Sequence, residues 1–226
     1  VSLVDNLALL RDRIARAARA AGRDPSSIRL VAVTKTWSAS VVREAWALGL
    51  RDFGENYAQE LVEKADALGD LAGIRWHFIG HLQTNKVRLV VPRVVAVHTV
   101  DSVRLAHELA LRAARLGRVM EVFVQVNVGG EAQKAGCMPA EASALCDAVE
   151  QAPSLRLRGL MTVPPYTDDP EGARGPFMAL VALRDALGGP ARLPELSMGM
   201  THDLEVAIAC GATVLRVGSA LFGARQ

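Results

Sequence analysis

Cysteine is scarce in this sequence: Cys137, Cys146 and Cys210 are the only three in 226 residues, widely spaced and without a C-x-x-C pair. That excludes a disulfide framework and offers no zinc-ligand spacing, so a reducing compartment is expected. An excess of one charge is also missing. The 26 basic side chains face 24 acidic ones, a net +2, too weak a field to point to nucleic acid. The longest apolar stretch, around Leu89 to Val97, is interrupted by Pro92 and Arg93, far short of the ~20 residues that cross a bilayer. The opening VSLVDNLALLRDR carries Asp5 and then Arg11 and Arg13, not a basic start before an apolar run. No secretory signal is therefore expected, and the cytoplasm is the expected location. No G-x-G-x-x-G turn follows the first strand-like run, which weakens a dinucleotide-binding reading.

What is present is a chain that is 50% hydrophobic, too apolar and too balanced in charge for disorder. A chain of this size buries roughly 70% of its unfolded surface and needs no metal or disulfide to hold a core. No linker or low-complexity segment divides it, so residues 1–226 read as one domain. The first segment predicts a helix with Leu3, Leu7, Leu10, Ile14, Ala17 and Ala21 on one face, ended by Gly22 and Asp24-Pro25. Its arginines read as a solvated outer face.

From there, short β-rich runs alternate with amphipathic ones. Strands are expected at 30–34, 52–54, 76–80, 94–100, 119–128, 155–162, 195–198 and 213–217. Helical stretches are expected at 39–48, 56–68, 102–116, 139–151, 176–187 and 204–210. Alternation of this kind means parallel strands joined by crossovers, and runs such as VFVQV and VLRV are apolar on both faces, as buried parallel strands are. Eight such units fit a closed (β/α)8 barrel with an added N-terminal helix; an open doubly wound sheet is the alternative.

In a barrel the chemistry lies at the carboxyl ends of the strands. Lys35 follows the apolar run LVAVT. Taken alone it reads most simply as a lysine snorkelling from a strand end, but a partly dry barrel mouth would also favour a neutral amine able to form a Schiff base with an aldehyde. The last two strands run into Ser197-Met198-Gly199-Met200-Thr201 and Arg216-Val217-Gly218-Ser219-Ala220. Small residues and hydroxyls there expose backbone N–H groups where barrels often bind phosphate. Together the three segments suggest a phosphorylated ligand facing Lys35. Asn56, Gln83, Asn127, Lys134 and Thr162 share the expected rim, Asn56 serving equally well as a helix N-cap. His77 and His81 lack a suitably spaced carboxylate, so no metal site is expected; His98, His107 and His202 suggest nothing specific.

The runs VAVTKT, RDFGENYAQE, WHFIGHLQTNKV, VHTVDS, GLMTVPP, LSMGMTHDLEVAI and GATVLRVGSALFG resemble the pyridoxal phosphate homeostasis protein family, also called the YggS/PROSC type. The resemblance spans about Leu30 to Arg225. It implies a fold-type III barrel like the N-terminal domain of alanine racemase, bound pyridoxal 5′-phosphate (PLP), and a role in vitamin B6 and amino-acid balance without established turnover. Under it, Lys35 would be the Schiff-base lysine, and Ser197, Gly218 and Ser219 would hold the phosphate with the Gly199 and Met200 backbone nearby. Arg216 would face the pyridine nitrogen, Asn56 would lie by the ring, and Lys134 would stand where racemases place an arginine. Trp37 replaces a second lysine of some relatives, and the sequence reaches Gln226 without the lysine-bearing tail that some members have. The partners implied are PLP itself and PLP-dependent apoenzymes, with neither nucleic acid nor membrane, and a monomer is expected. A racemase-like PLP enzyme and a Schiff-base aldolase acting on a phosphosugar are the competing readings.

Overall fold

The computed structural model of the chain describes residues 2–130 and 135–223. A capping box at Ser2 and Asp5 opens α1 (Leu3–Ala20), as a hydroxyl three residues before a carboxylate does when both satisfy end N–H groups. The chain then alternates: β1 (Arg29–Val33), α2 (Ala39–Ala47), β2 (Asp52–Glu55), α3 (Ala58–Ala67), β3 (Arg75–Phe78), α4 (Val87–Val90), β4 (Val94–Val100), α5 (Val103–Arg115) and β5 (Met120–Gln125). The second half continues with α6 (Ala142–Glu150), β6 (Leu155–Met161), α7 (Arg174–Ala186), α8 (Gly189–Arg192), β7 (Glu195–Ser197), α9 (Leu204–Ala209), β8 (Val214–Val217) and α10 (Ser219–Phe222).

The eight strands pair in chain order and close, β1 lying parallel to both β2 and β8 with Val31 opposite Arg216. This is the closed barrel, not the open sheet. Side chains alternate across each strand. Ala32, Phe53, Leu160 and Leu215 join the large apolar layer beneath the helices, while Val31, Ala96, Phe123, Met161 and Val214 form a small cluster of their own. Polar side chains are buried as well, among them His77, His98, Ser197 and Arg216.

On α1 the buried face is Leu7, Leu10, Ile14 and Ala18, with Ala21 exposed; a 3.6-residue turn carries the face to Ala18 where the sequence pattern suggested Ala21. The helix packs on α9 and α10. Asn6 donates to the Leu221 carbonyl at 3.0 Å, and Arg13 pairs with Glu205 at 2.7 Å while donating to the Thr201 carbonyl. The added helix thus braces the last two strand-end loops. All three cysteines are free and buried; burial pushes the Cys137 thiol up to about 12. No helix among the described residues is long and apolar enough to cross a membrane.

Candidate functional site

At the end of β1 the chain turns through Thr34, Lys35 and Thr36, with Thr34 buried and Lys35 half-buried. Thr36 has φ +69°, the one positive φ at a non-glycine among the described residues, a conformation that costs a β-branched residue on the order of 1–3 kcal/mol. A buried ion cluster holds it. The Lys64 ammonium on α3 donates to the Thr34 carbonyl (2.7 Å), Glu55 Oε1 (2.7 Å) and Glu60 Oε2 (2.9 Å). Glu60 also accepts the Thr36 N–H at 2.7 Å, and Thr34 Oγ1 donates to Glu55 at 2.6 Å. Burial raises the Glu55 carboxyl against the opposing pull of Lys64 and Thr34. Burial also works against Glu60, but the Thr36 N–H and Lys64 outweigh it and lower its carboxyl. A strained turn and a charged clamp beneath it therefore set the direction in which Lys35 leaves the barrel.

Lys35 lines a cavity of about 500 Å³, within the roughly 300–1,000 Å³ usual for small-molecule sites. Gly218, Ser219, Met200 and Thr201 also line it, as do Arg216 and Asn56. Ser219 Oγ donates to Thr201 Oγ1 at 3.1 Å, and the Ala220 N–H donates to the same oxygen. The Met200 N–H is held by Asp203 at 2.6 Å. These contacts fold the two loops into one hydroxyl-rich wall. Arg216 is buried, donating from Nη1 to Ser197 Oγ (2.7 Å) and from Nη2 to the Thr162 carbonyl (2.9 Å). Burial pulls its pKa down to about 10, which leaves it a cation at neutral pH. Asn56 is set by close contact with Gly80, where any Cβ would come 2.1 Å from the Asn56 carbonyl oxygen. Its side-chain Oδ1 is buried without a hydrogen-bond partner, an acceptor aimed at no protein group.

Six of the eight residues singled out from the sequence, Lys35, Asn56, Met200, Arg216, Gly218 and Ser219, line this one cavity. Two do not. Ser197 is fully buried, its hydroxyl engaged by Arg216 and by His98 at 2.8 Å, so it stands behind Arg216 and not in the cavity lining. Gly199 also lies behind the wall, at φ +97°, where a Cβ would meet Ala207 Cβ at 2.6 Å; its carbonyl accepts the Arg216 backbone N–H at 2.9 Å. Asn56 is not a helix cap, since α3 begins after Tyr57. Lys134 lies outside the described residues. Gln83 and His81 line a separate surface hollow beside Asp101. Not singled out as site residues from the sequence were Trp37 and His202 in the wall and Lys64 and Glu60 beneath Lys35, whereas Thr201 belongs to the loop expected to face Lys35. Among the described residues, no three His, Cys, Asp or Glu side chains cluster as metal ligands.

The profile of the alanine racemase N-terminal domain family matches residues 6–226. A pyridoxal phosphate homeostasis protein of Pseudomonas aeruginosa is 47% identical over 225 residues, which cover 100% of this chain and 96% of the relative. The chain belongs to the pyridoxal phosphate homeostasis protein family. The family member of Escherichia coli strain K12 is 42% identical over 99% of this chain and 97% of its own. Among solved structures, PipY of Synechococcus elongatus PCC7942, with PLP bound, is 36% identical with TM-score 0.83, covering 98% of this chain and 100% of that one. Alanine racemase from Corynebacterium glutamicum, at 18% identity and TM-score 0.71 over 98% of this chain and 62% of its own, shares the barrel fold.

Proposed function

We propose that this member of the pyridoxal phosphate homeostasis family binds PLP in the cavity beside Lys35 and holds it reversibly, as a store that supplies PLP-dependent apoenzymes. The Lys35 amine adds to the aldehyde carbon and water leaves, forming a Schiff base. The Gly218-Ser219 turn and Thr201 suit the phosphate, Asn56 the polar edge of the ring, and the Arg216 guanidinium the ring nitrogen. The observation that carries this reading is the convergence of Lys35, Arg216 and the Thr201–Ser219 wall on one cavity of about 500 Å³. The related PipY, solved with PLP bound, supports it.

When bound, PLP supplies an electron sink that is strongest with its ring nitrogen protonated. Arg216 works against that state, because a guanidinium only donates hydrogen bonds and keeps its charge. Tyr57 and Tyr166, the two tyrosines of the sequence, are not among the residues lining the cavity, so neither stands ready as a base on the far ring face. Both features favour holding over turnover.

Titration with PLP is expected to give a visible absorption band that Lys35→Ala abolishes. A band unchanged in Lys35→Ala would refute the assignment. Lys35-dependent interconversion of D- and L-amino acids would replace the storage role with a racemase-like one.

A further inference from the structure

The barrel interior holds a file of polar side chains where such barrels ordinarily stack layers of Val, Ile and Leu. It starts at Asp52 on β2, whose Oδ1 lies 2.9 Å from His77 Nε2. His77 Nδ1 is 2.9 Å from His98 Nε2, and His98 Nδ1 is 2.8 Å from Ser197 Oγ. Ser197 Oγ in turn accepts from Arg216 at 2.7 Å. The file joins two hollows at opposite ends of the strands: one lined by Asp52, His77, Arg29 and Arg75, the other the cavity lined by Lys35 and Arg216.

With both imidazoles neutral, hydrogen-bond chemistry allows one direction through it. A carboxylate only accepts, so a neutral His77 carries its proton on Nε2 and accepts at Nδ1. His98 must then donate from Nε2 and accept at Nδ1. Ser197, which already accepts from Arg216, gives its own hydrogen to His98. Every member is satisfied with both imidazoles neutral, and charging His98 would leave the Ser197 hydrogen without an acceptor. Burial, with the guanidinium charges of Arg216 and Arg29 nearby, holds His98 well below its ordinary value. Its ring is fixed by stacking on Phe123 at 4.3 Å.

We propose that Asp52, His77, His98 and Ser197 form a one-way hydrogen-bond relay that fixes Arg216 as a rigid donor toward the cavity, which makes these four positioning residues for the ring nitrogen of the bound ligand. The relay rests on the fold alone; its effect on the ligand rests on the PLP reading above.

Two measurements on the full chain test it. Long-range 15N–1H NMR of the protein without PLP is expected to show His77 and His98 as neutral Nε2–H tautomers from pH 6 to 8. An Nδ1–H tautomer or an imidazolium at either residue overturns the relay, whether or not PLP binds. In Ser197→Ala the dissociation constant for PLP is expected to rise about tenfold, and the ring-nitrogen signal of 15N-labelled PLP to move toward the protonated form, with the visible band kept. A merely space-filling serine would change the melting temperature and leave that signal in place, and this result also overturns the proposal. Failure of the unmodified protein to bind PLP refutes the PLP reading while the tautomers still decide the relay.

Discussion

Lys64 shows what a single buried charge does here. Its side chain is 7% exposed and that of Glu55 0%, and all three ammonium hydrogens have acceptors within 2.9 Å. Removing one member of a buried pair strands the other, which typically costs about 3–5 kcal/mol. Lys64→Met is therefore expected to lower the unfolding free energy by that order, read as a lower urea midpoint, and to weaken PLP retention, because the Thr34–Thr36 turn loses its anchor. Denaturant titration with and without PLP checks both. At this scale the sequence was legible only in part. Lys35, Arg216 and Ser219 stood out because they follow apolar runs at strand ends. Lys64 sits on a helix at a spacing that reads as a solvated face, and nothing local reveals that Glu55 faces it from the neighbouring strand. Ser197 is a related case: its position at a strand end does not tell whether it faces the mouth or the layer below, where it meets His98 and Arg216.

Among the elements, the alternation of strands and helices was readable because both faces of a parallel strand are buried and the apolar runs are nearly continuous. The helix starts were harder to place. α6 opens on a 3-10 turn at Pro139–Glu141, and α3 begins at Ala58 and not at Asn56. The contact between the loop after β3 and the loop after β2 belongs to this scale as well. Gly80 leaves no room for a side chain against the Asn56 backbone, so Gly80→Ala must push that loop out of the cavity wall. Overpacking of this kind costs about 1–3 kcal/mol, and PLP affinity is expected to fall with stability. Unfolding curves and a PLP titration of the variant, compared with the unmodified chain, read the two effects; unchanged affinity would contradict the placement of Asn56 at the ligand.

Over the whole molecule, the two ends of the barrel carry different chemistry: a ligand cavity at the carboxyl ends of the strands, and arginines paired with carboxylates at the other. Burial opposes ionisation of Asp52, but hydrogen bonds from His77 and Arg75 overcome it and lower its carboxyl to about 2. A carboxyl lower in the folded than in the unfolded chain adds stability above its unfolded value, roughly pH 4, and loses it as the pH falls toward the folded one. Between pH 5 and 3 the chain is thus expected to lose stability more steeply than Asp52→Asn, as urea midpoints at the two pH values would show; equal slopes would contradict the Asp52 assignment. The closed barrel and the meeting of its first and last strands were foreseeable from eight regular units. The polar file inside was not, since pairing across a barrel depends on register, and register cannot be read from one sequence.

The most direct test of the PLP reading is chemical trapping. With PLP added and the Schiff base reduced by borohydride, peptide mass mapping should place the pyridoxyl group on Lys35, with little elsewhere. A label distributed over surface lysines, or concentrated on another lysine with Lys35 unmodified, would contradict it.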